Sequence, residues 1–471
     1  MNKFKIKNKS CSEKKNKKLK KKKNNMSTAL IQMAQKAYCL SSKATYTKLG
    51  NSVVTSRNRV YITPQNSEGP FTAGQKIVFQ WPSNSFMDPQ TIRFEFQPNF
   101  TWLGSGTGLG FANTCVDWIR RITLKSGSTE IIDIDNYNAW VAFQYKTVVP
   151  WTYSCTSGSI LDQFQTQPYA QSTSFGGFPM SGATPQTVQN NSLQYASHTF
   201  MNGIFQVLQY LPLSLINNLQ LEIYLDTVNN ALMRTGSSSA ETYTISNLRI
   251  YYDQINFAPE FAQSITDEVK SQKSLYIPFY QIRCHEKTMP LNTSNVTFQI
   301  AERVQSLNQI FCIPTPAAAT GDITQNTIGM FNPKFTWVQH QFRLNSIYFP
   351  TYPITSLTEM MQHNFLATNQ YGDIDSGGIL TTKNMSTLTA SLPNDQWLNE
   401  FYAFDFEREK CPSLLSGYNT DAGATDIEFI LQCTNNNTTA FTGNSDKRFM
   451  CFTLFDSTIA VNADGTVTTY R

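Results

Sequence analysis

The stretch LQLEIYLDT at residues 219 to 227 returns in close copy as IEFILQCT at 427 to 434. In the first copy Leu219, Leu221, Ile223 and Leu225 alternate with Gln220, Glu222, Tyr224 and Asp226. A period of two with apolar residues on one side predicts a strand that covers a core with one face. The copy is not isolated. LRIYYDQINF at 248 to 257 follows the first strand, and FMCFTLFDSTIAV at 449 to 461 follows the second. Upstream, Trp118 opens WIRRITLKSG and Trp337 opens WVQHQFRLNS. The pairs Trp118 and Trp337, Glu222 and Glu428, and Asp253 and Asp456 are separated by 219, 206 and 203 residues. Three pairs in the same order predict two similar β domains in tandem that differ by loop insertions.

A chain of 471 residues, 40% apolar and 13% aromatic, can build two or three cores. Only 15% of its residues are charged, well under the usual quarter, which suits β sandwiches with polar loops rather than helical bundles. The net charge of +5 is uneven. Residues 1 to 25 carry twelve lysines and one acid, Glu13; without them the totals of 38 basic and 33 acidic side chains fall to 26 and 32. The body is mildly acidic behind a basic start.

That start is read as a disordered arm when alone, with Lys14, Lys15, Lys17, Lys18, Lys20, Lys21, Lys22 and Lys23 able to meet nucleic-acid phosphates or an inner surface. An idle tail, or translation from Met26, is the competing reading, and an intact mass separates them. From Ser27 to Leu40, Leu30, Ile31, Met33, Ala34, Ala37 and Tyr38 recur at helical spacing, which predicts a short amphipathic helix.

The first β domain is expected over 51–257, after a basic arm and helix at 1–50. Its strands are expected at Lys76 to Trp81, Ile92 to Phe96 and Trp118 to Lys125, besides the two already described. Residues 152–200 are rich in Ser, Thr, Gln and Gly, and a loop of that size points to a function or an interface. APEFAQSITDEVKSQK predicts a linker helix at 258–273, with Pro259 near its start and Glu260 in the first turn. The second domain, 274–471, is expected to hold strands at Val296 to Ile300, Phe335 to Tyr348 and Phe401 to Glu407, and a hairpin turn at Asp464-Gly465. Helix is expected to be scarce.

Nine cysteines, an odd number without any Cys-x-x-Cys, and Cys312 and Cys451 inside apolar strand patterns point to buried thiols in a reducing compartment. There is no apolar run of membrane-spanning length and no signal-peptide pattern, so sequons such as Asn99-Phe-Thr101 and Asn295-Val-Thr297 are expected to stay bare. His198, His285, His340 and His363 lie at no metal-ligand spacing. The glycines of LGSGTGLGF, Gly104 to Gly110, lack the strand and helix that a phosphate loop needs and are read as a flexible loop. The acid pairs Asp133 with Asp135 and Glu407 with Glu409 have the same-face spacing a glycosidase could use, but a solvated strand face explains them as well. No catalytic residue, cofactor site or metal site is assigned, and no enzyme class is supported.

LPLSLINNLQLEIYLDT at 211 to 227, YTISNLRIYYDQI at 243 to 255 and QFRLNSIYFPTYPI at 341 to 354 resemble the double jelly-roll major capsid proteins of virophages, polinton-like viruses and nucleocytoplasmic large DNA viruses. The matching positions are Leu211 and Pro212 ahead of Leu221, Ile223 and Leu225, then Arg343, Phe349, Pro350, Pro353 and Ile354. The likeness covers about residues 50 to 471; the lysine-rich start is outside the family pattern. The resemblance implies an all-β protein of two eight-stranded jelly rolls and a homotrimeric, pseudo-hexameric capsomer that tiles an icosahedral shell. It implies partners in neighbouring trimers, in penton and minor capsid proteins, and in genome or inner membrane through the arm. The 152–200 insertion would be an outer tower or a trimer-locking loop. Production would be in host cytoplasm or a viral factory, and residence in the virion. The alternative reading is a jelly-roll carbohydrate-binding or host-attachment protein, because fold alone does not separate these uses.

Overall fold

The alternation at 219 to 225 is a strand whose apolar side chains, Leu219, Leu221, Ile223 and Leu225, are all buried. The computed structural model describes residues 54–471 except 104–107, 112–113, 149–173, 176–177, 180–188, 193–195, 208–209, 236–238, 273, 317–335, 369–400, 408–416, 422–426 and 435–445. The lysine block, the helix expected at 27–40 and most of the 152–200 stretch therefore lie outside the described residues.

Among the described strands of the first half, eight recur in the second: β1 (Val54–Ile62), β2 (Lys76–Gln80), β3 (Phe86–Leu103), β4 (Ile119–Ser126), β5 (Thr129–Ile134), β6 (Ala196–His198), β7 (Leu219–Leu225) and β8 (Ser239–Phe257), with shorter strands added at their edges. Their counterparts in the second half are β9 (Ser274–Met289), β10 (Asn295–Ile300), β11 (Leu307–Pro316), β12 (Thr336–Leu344), β13 (Ile347–Ile354), β14 (Tyr402–Asp405), β15 (Ile427–Thr434) and β16 (Lys447–Asn462), followed by a short ninth strand at Val467–Tyr470. The first half pairs them as β1-β8-β3-β6 and β2-β7-β4-β5, and the second as β9-β16-β11-β14 and β10-β15-β12-β13. Each strand has its counterpart eight places on, and all pairings are antiparallel. This is one jelly roll written twice. The repeated Glu222 and Glu428 sit on equivalent strands, β7 and β15, each between buried apolar neighbours.

Among the described residues three helices longer than one turn accompany the strands: α1 (Tyr137–Thr147), α2 (Pro259–Gln272) and α3 (Leu357–Ala367). α2 is the helix expected between the halves, with Pro259 and Glu260 in its first turn. α1 and α3 were not expected. Both have 11 residues and both start three residues after a strand ends, at Ile134 and at Ile354. YNAWVAFQYKT mixes Asn138, Gln144, Lys146 and Thr147 among its apolar residues and shows no helical stripe; all its described side chains except Gln144 are buried. α3 did carry a sign, because Ser356 and Glu359 have the spacing of a capping box.

The strand expected at Ile92 to Phe96 extends from Phe86 to Leu103. Pro89 lies where the register with β8 jumps from Asp88 to Arg93, a bulge that needs no ladder N–H. The run expected from Phe335 to Tyr348 is two strands, because Asn345 takes a left-handed φ of 56° and turns the chain between Leu344 and Ile347. Part of the glycine loop is also a strand: Gly108–Phe111 pairs with Leu232–Thr235, and Leu109 and Phe111 are buried. The hairpin at Asp464-Gly465 joins β16 to Val467–Tyr470, with Gly465 at φ 81°.

One core extends beyond the first half. It takes in Met450 and Phe452 of β16 and Phe311 and Ile313 of β11, while their neighbours Phe449, Cys451, Phe455, Ile310 and Cys312 belong to the second core. The β9-β16-β11-β14 sheet is thus covered on both faces. That is why FMCF at 449 to 452 reads as an unbroken apolar run rather than an alternation. None of the five described cysteines is in a disulfide. Cys312 lies across from Cys451, both fully buried, and burial pushes the Cys312 thiol well up from its ordinary value.

Candidate assembly surfaces

The two halves meet along β5 and α1 of the first and the β9-β16-β11-β14 sheet of the second. Trp140 packs edge-on to Phe311 and tilted against Phe452 at ring distances of 6.1 and 5.3 Å. Phe143 reaches Phe311 and Phe401 at 5.1 Å each. Polar contacts surround this apolar centre. Gln281 Nε2 donates to the Ile131 carbonyl, Thr469 Oγ1 donates to the Glu130 carbonyl at 3.2 Å, and Arg448 Nη2 donates to Asn136 Oδ1 at 3.1 Å. Gly203 has no room for a side chain, since a Cβ there would collide with the Tyr280 backbone. An apolar centre with a polar rim is how a permanent interface is built.

The family-motif residues divide between two places. Leu211, Leu221, Ile223, Leu225 and Ile354 are core side chains. Leu211 and Pro212 also form a short strand against Met87 and Phe86. Arg343, Pro350 and Pro353 gather instead around β13, the open edge of its sheet. Arg343 is 2.5 Å from Glu428 and lies over the Tyr348 ring at 5.9 Å, and Gln341 Nε2 donates to the Pro350 carbonyl at 2.8 Å. This edge carries exposed Ile347, Tyr348 and Tyr352. A second exposed aromatic group lies on the outer face of β1 and β8, where Tyr61 and Tyr251 are 5.7 Å apart and the Arg249 guanidinium lies over Tyr61 at 5.1 Å. The sequence did not single out these tyrosines, because an exposed aromatic residue looks like any strand residue until the sheet order is known. The lysines from Lys14 to Lys23 lie outside the described residues.

The four histidines and the described members of the acid pairs are engaged in structure. His198 meets the Tyr137 hydroxyl at 3.1 Å, and His285 meets Glu302 at 3.1 Å. His340 accepts a hydrogen bond from Trp337 Nε1 at 3.1 Å; burial, aided by nearby His363, lowers its pKa to about 3 and keeps it neutral. His363 stacks on Phe404. Asp133 is held by Arg121 through two contacts of 2.6 Å, and Asp135 lies 3.5 Å from Arg120. Glu407 donates its backbone N–H to Asp405, and Glu409 lies outside the described residues. Among the described residues no group of three or more His, Cys, Asp or Glu side chains is placed to hold a metal. A depression of about 230 Å³ on the β10-β15-β12 face is lined by Asn295, Thr297, Gln339, His340, Gln341 and Gln432.

Glu222 lies 3.0 Å from Lys76 and 2.9 Å from Lys125, and the Tyr224 hydroxyl donates to it at 2.9 Å. Burial alone would raise its carboxyl, but these hydrogen bonds outweigh burial and hold the pKa at about 2, against an ordinary 4.5. A depressed carboxylate contributes stability that is complete above the unfolded value and is lost as pH falls through the folded one. Glu222→Gln is therefore expected to lower stability at neutral pH by about 1 to 2 kcal/mol, discounted for the solvent around the lysines. It should also flatten the loss between pH 4.5 and 2. Urea unfolding across that range measures both, and an unchanged acid slope would show that the cluster does not stabilise the fold.

No family model and no curated protein sequence matches the chain. Solved structures do match over nearly the whole length. The mavirus major capsid protein matches with a TM-score of 0.55 at 11% identity, covering 92% of this chain and 94% of that one. The faustovirus major capsid protein matches at 0.56 and 7% identity, covering 89% and 92%. A chain of the Sputnik virophage structure matches at 0.59 and 9% identity, covering 92% and 91%. Its two like sets of eight antiparallel strands, matched from end to end, give this chain the double jelly-roll fold of viral major capsid proteins.

Proposed function

We propose that the chain is the major capsid protein of an icosahedral double-stranded DNA virus and acts by assembly rather than turnover. The supporting observation is that both halves, in one chain and in the same order, match major capsid proteins along their length. Two like domains in one chain let a threefold trimer imitate sixfold symmetry, so the protein assembles as a pseudo-hexameric homotrimer. The domains divide at 51–257 and 274–471, with 258–273 as linker. Within the trimer, contacts are of obligate size, more than about 2,000 Å². Contacts between trimers are weaker, so that misplaced tiles leave. Neighbouring trimers, minor capsid proteins and a separate penton protein are its partners, since a pseudo-sixfold tile does not fit a fivefold vertex. Lys14 to Lys23 face the genome or an inner membrane. The protein is made in host cytoplasm or a viral factory and resides in the virion.

Light scattering of the purified full chain tests this. The expected mass is about 160 kDa, three times the 53.3 kDa chain. A monomer at every concentration would sink the capsomer reading and turn attention to glycan binding.

A further inference from the structure

The seam inside the chain joins two different surfaces. One is the edge strand and helix of the first half, β5 with α1. The other is the outer face of the β9-β16-β11-β14 sheet of the second half. Because the two halves repeat the same strand order, each surface has a counterpart elsewhere. The second half carries its own edge strand and helix, β13 with α3. The first half carries its own sheet face, on β1, β8 and β3.

Position by position, the counterparts are left open. With Ile134 matched to Ile354, Ile132 corresponds to Tyr352; Ile132 is buried and Tyr352 is 60% exposed. α1 is buried throughout its described side chains except Gln144, whereas α3 leaves Thr358 and Gln362 exposed and Leu357, Phe365 and Leu366 half-buried. On the sheet face, matching Asp253 to Asp456 sets Arg249 at the place of Phe452, Tyr251 at Leu454, Glu95 at Phe311 and Tyr61 at Ile282. Ile282, Phe311 and Phe452 are buried in the shared core, and Tyr61 is 54% exposed.

We propose that the internal seam is repeated between chains: the β13 edge and α3 of one copy dock on the outer face of β1 and β8 of the next, with Ile347 and Tyr352 on one side and Tyr61, Arg249 and Tyr251 on the other. The inference rests on the trimeric reading above and assigns the surfaces that close the trimer. Its chemistry fits an interface between chains that fold first and meet later. The internal seam, never exposed, uses Trp and Phe. The external one uses Tyr and Arg, which tolerate water before assembly and stack after it. The contact is head to tail, so each copy uses one surface of each kind.

Two variants test it by light scattering: Ile347→Asp with Tyr352→Asp, which spoils the edge, and Tyr61→Asp, which spoils the face. Each alone is expected to reduce the three-chain species to one chain while keeping the wild-type far-ultraviolet circular dichroism; serine replacements substitute for any variant that does not keep it. Mixing the two variants is expected to give a two-chain species, because one intact edge then meets one intact face. Wild-type trimers combined with variants that remain trimeric would overturn these surfaces while leaving the trimer standing, and would leave the exposed edge to some other partner. Monomeric variants that form no two-chain species when mixed would overturn the head-to-tail arrangement. A monomeric wild type would overturn both readings.

Discussion

Replacing Trp140 with alanine is expected to cost the folded chain about 3 to 5 kcal/mol, the range for removing a large aromatic side chain from a core that cannot collapse around the gap. The seam gives the reason that collapse fails. Trp140 is 3% exposed and is held from the second half by Phe311 and Phe452, with its indole Nε1 donating to the Met201 carbonyl at 3.1 Å. Helix α1 is fixed on its other side by Tyr137, whose hydroxyl accepts the Met201 N–H at 3.0 Å, so it cannot slide to refill the space. Leaving Met201 without a buried donor adds to the loss. Urea unfolding should show a lower midpoint with the slope preserved, since both halves share this core. A change under about 1 kcal/mol would mean that the two halves are held together by the polar rim instead.

The second large effect is expected at Glu302. Its side chain is fully buried, 2.7 Å from Arg283 and 3.1 Å from His285, with the Thr453 hydroxyl at 3.3 Å. Glu302→Ala strands the Arg283 guanidinium, which also lies over the Phe455 ring at 5.5 Å, with no anion beside it. Removing one partner of a buried pair costs about 3 to 5 kcal/mol, with the lower end expected here because Arg283 keeps 29% of its side chain in water. Removing both partners is different. Glu302→Leu with Arg283→Met should recover most of the loss, because the penalty belongs to the unpaired charge rather than to the lost attraction. If the double variant were as unstable as the single one, the packing of Glu302 and not its charge would be the cause.

Much of the fold was legible in the sequence because strands with one wet face announce themselves by alternation. β7, β15 and the middle of β3 are such strands, and their repetition in order was enough to place two like domains in one chain. The likeness of Leu211 to Leu225 and of Arg343 to Ile354 to a capsid family then supplied the number of strands. Where both faces are covered, the signal changes. β16 opens as an unbroken apolar run, and α1 spreads its apolar residues around the helix without a stripe, so periodicity does not separate helix from strand there. Hairpin and bulge positions, such as Asn345 and Pro89, depend on a single backbone dihedral or a single missing N–H, and a pattern taken over several residues averages them away.

The sequence by itself determined that this protein is β-rich, duplicated and without a recognised catalytic motif, because those properties are carried by local alternation, by repeated segments and by residue types. The tertiary structure alone decided which surface of each half is used up inside the chain and which is left exposed. Phe452 and Arg249 occupy corresponding places in the two rolls, and the packing of Trp140 on Phe452 buries the first while the second stays in contact with water. Exposure of this kind is a property of neighbours distant in sequence, and no window along the chain contains them.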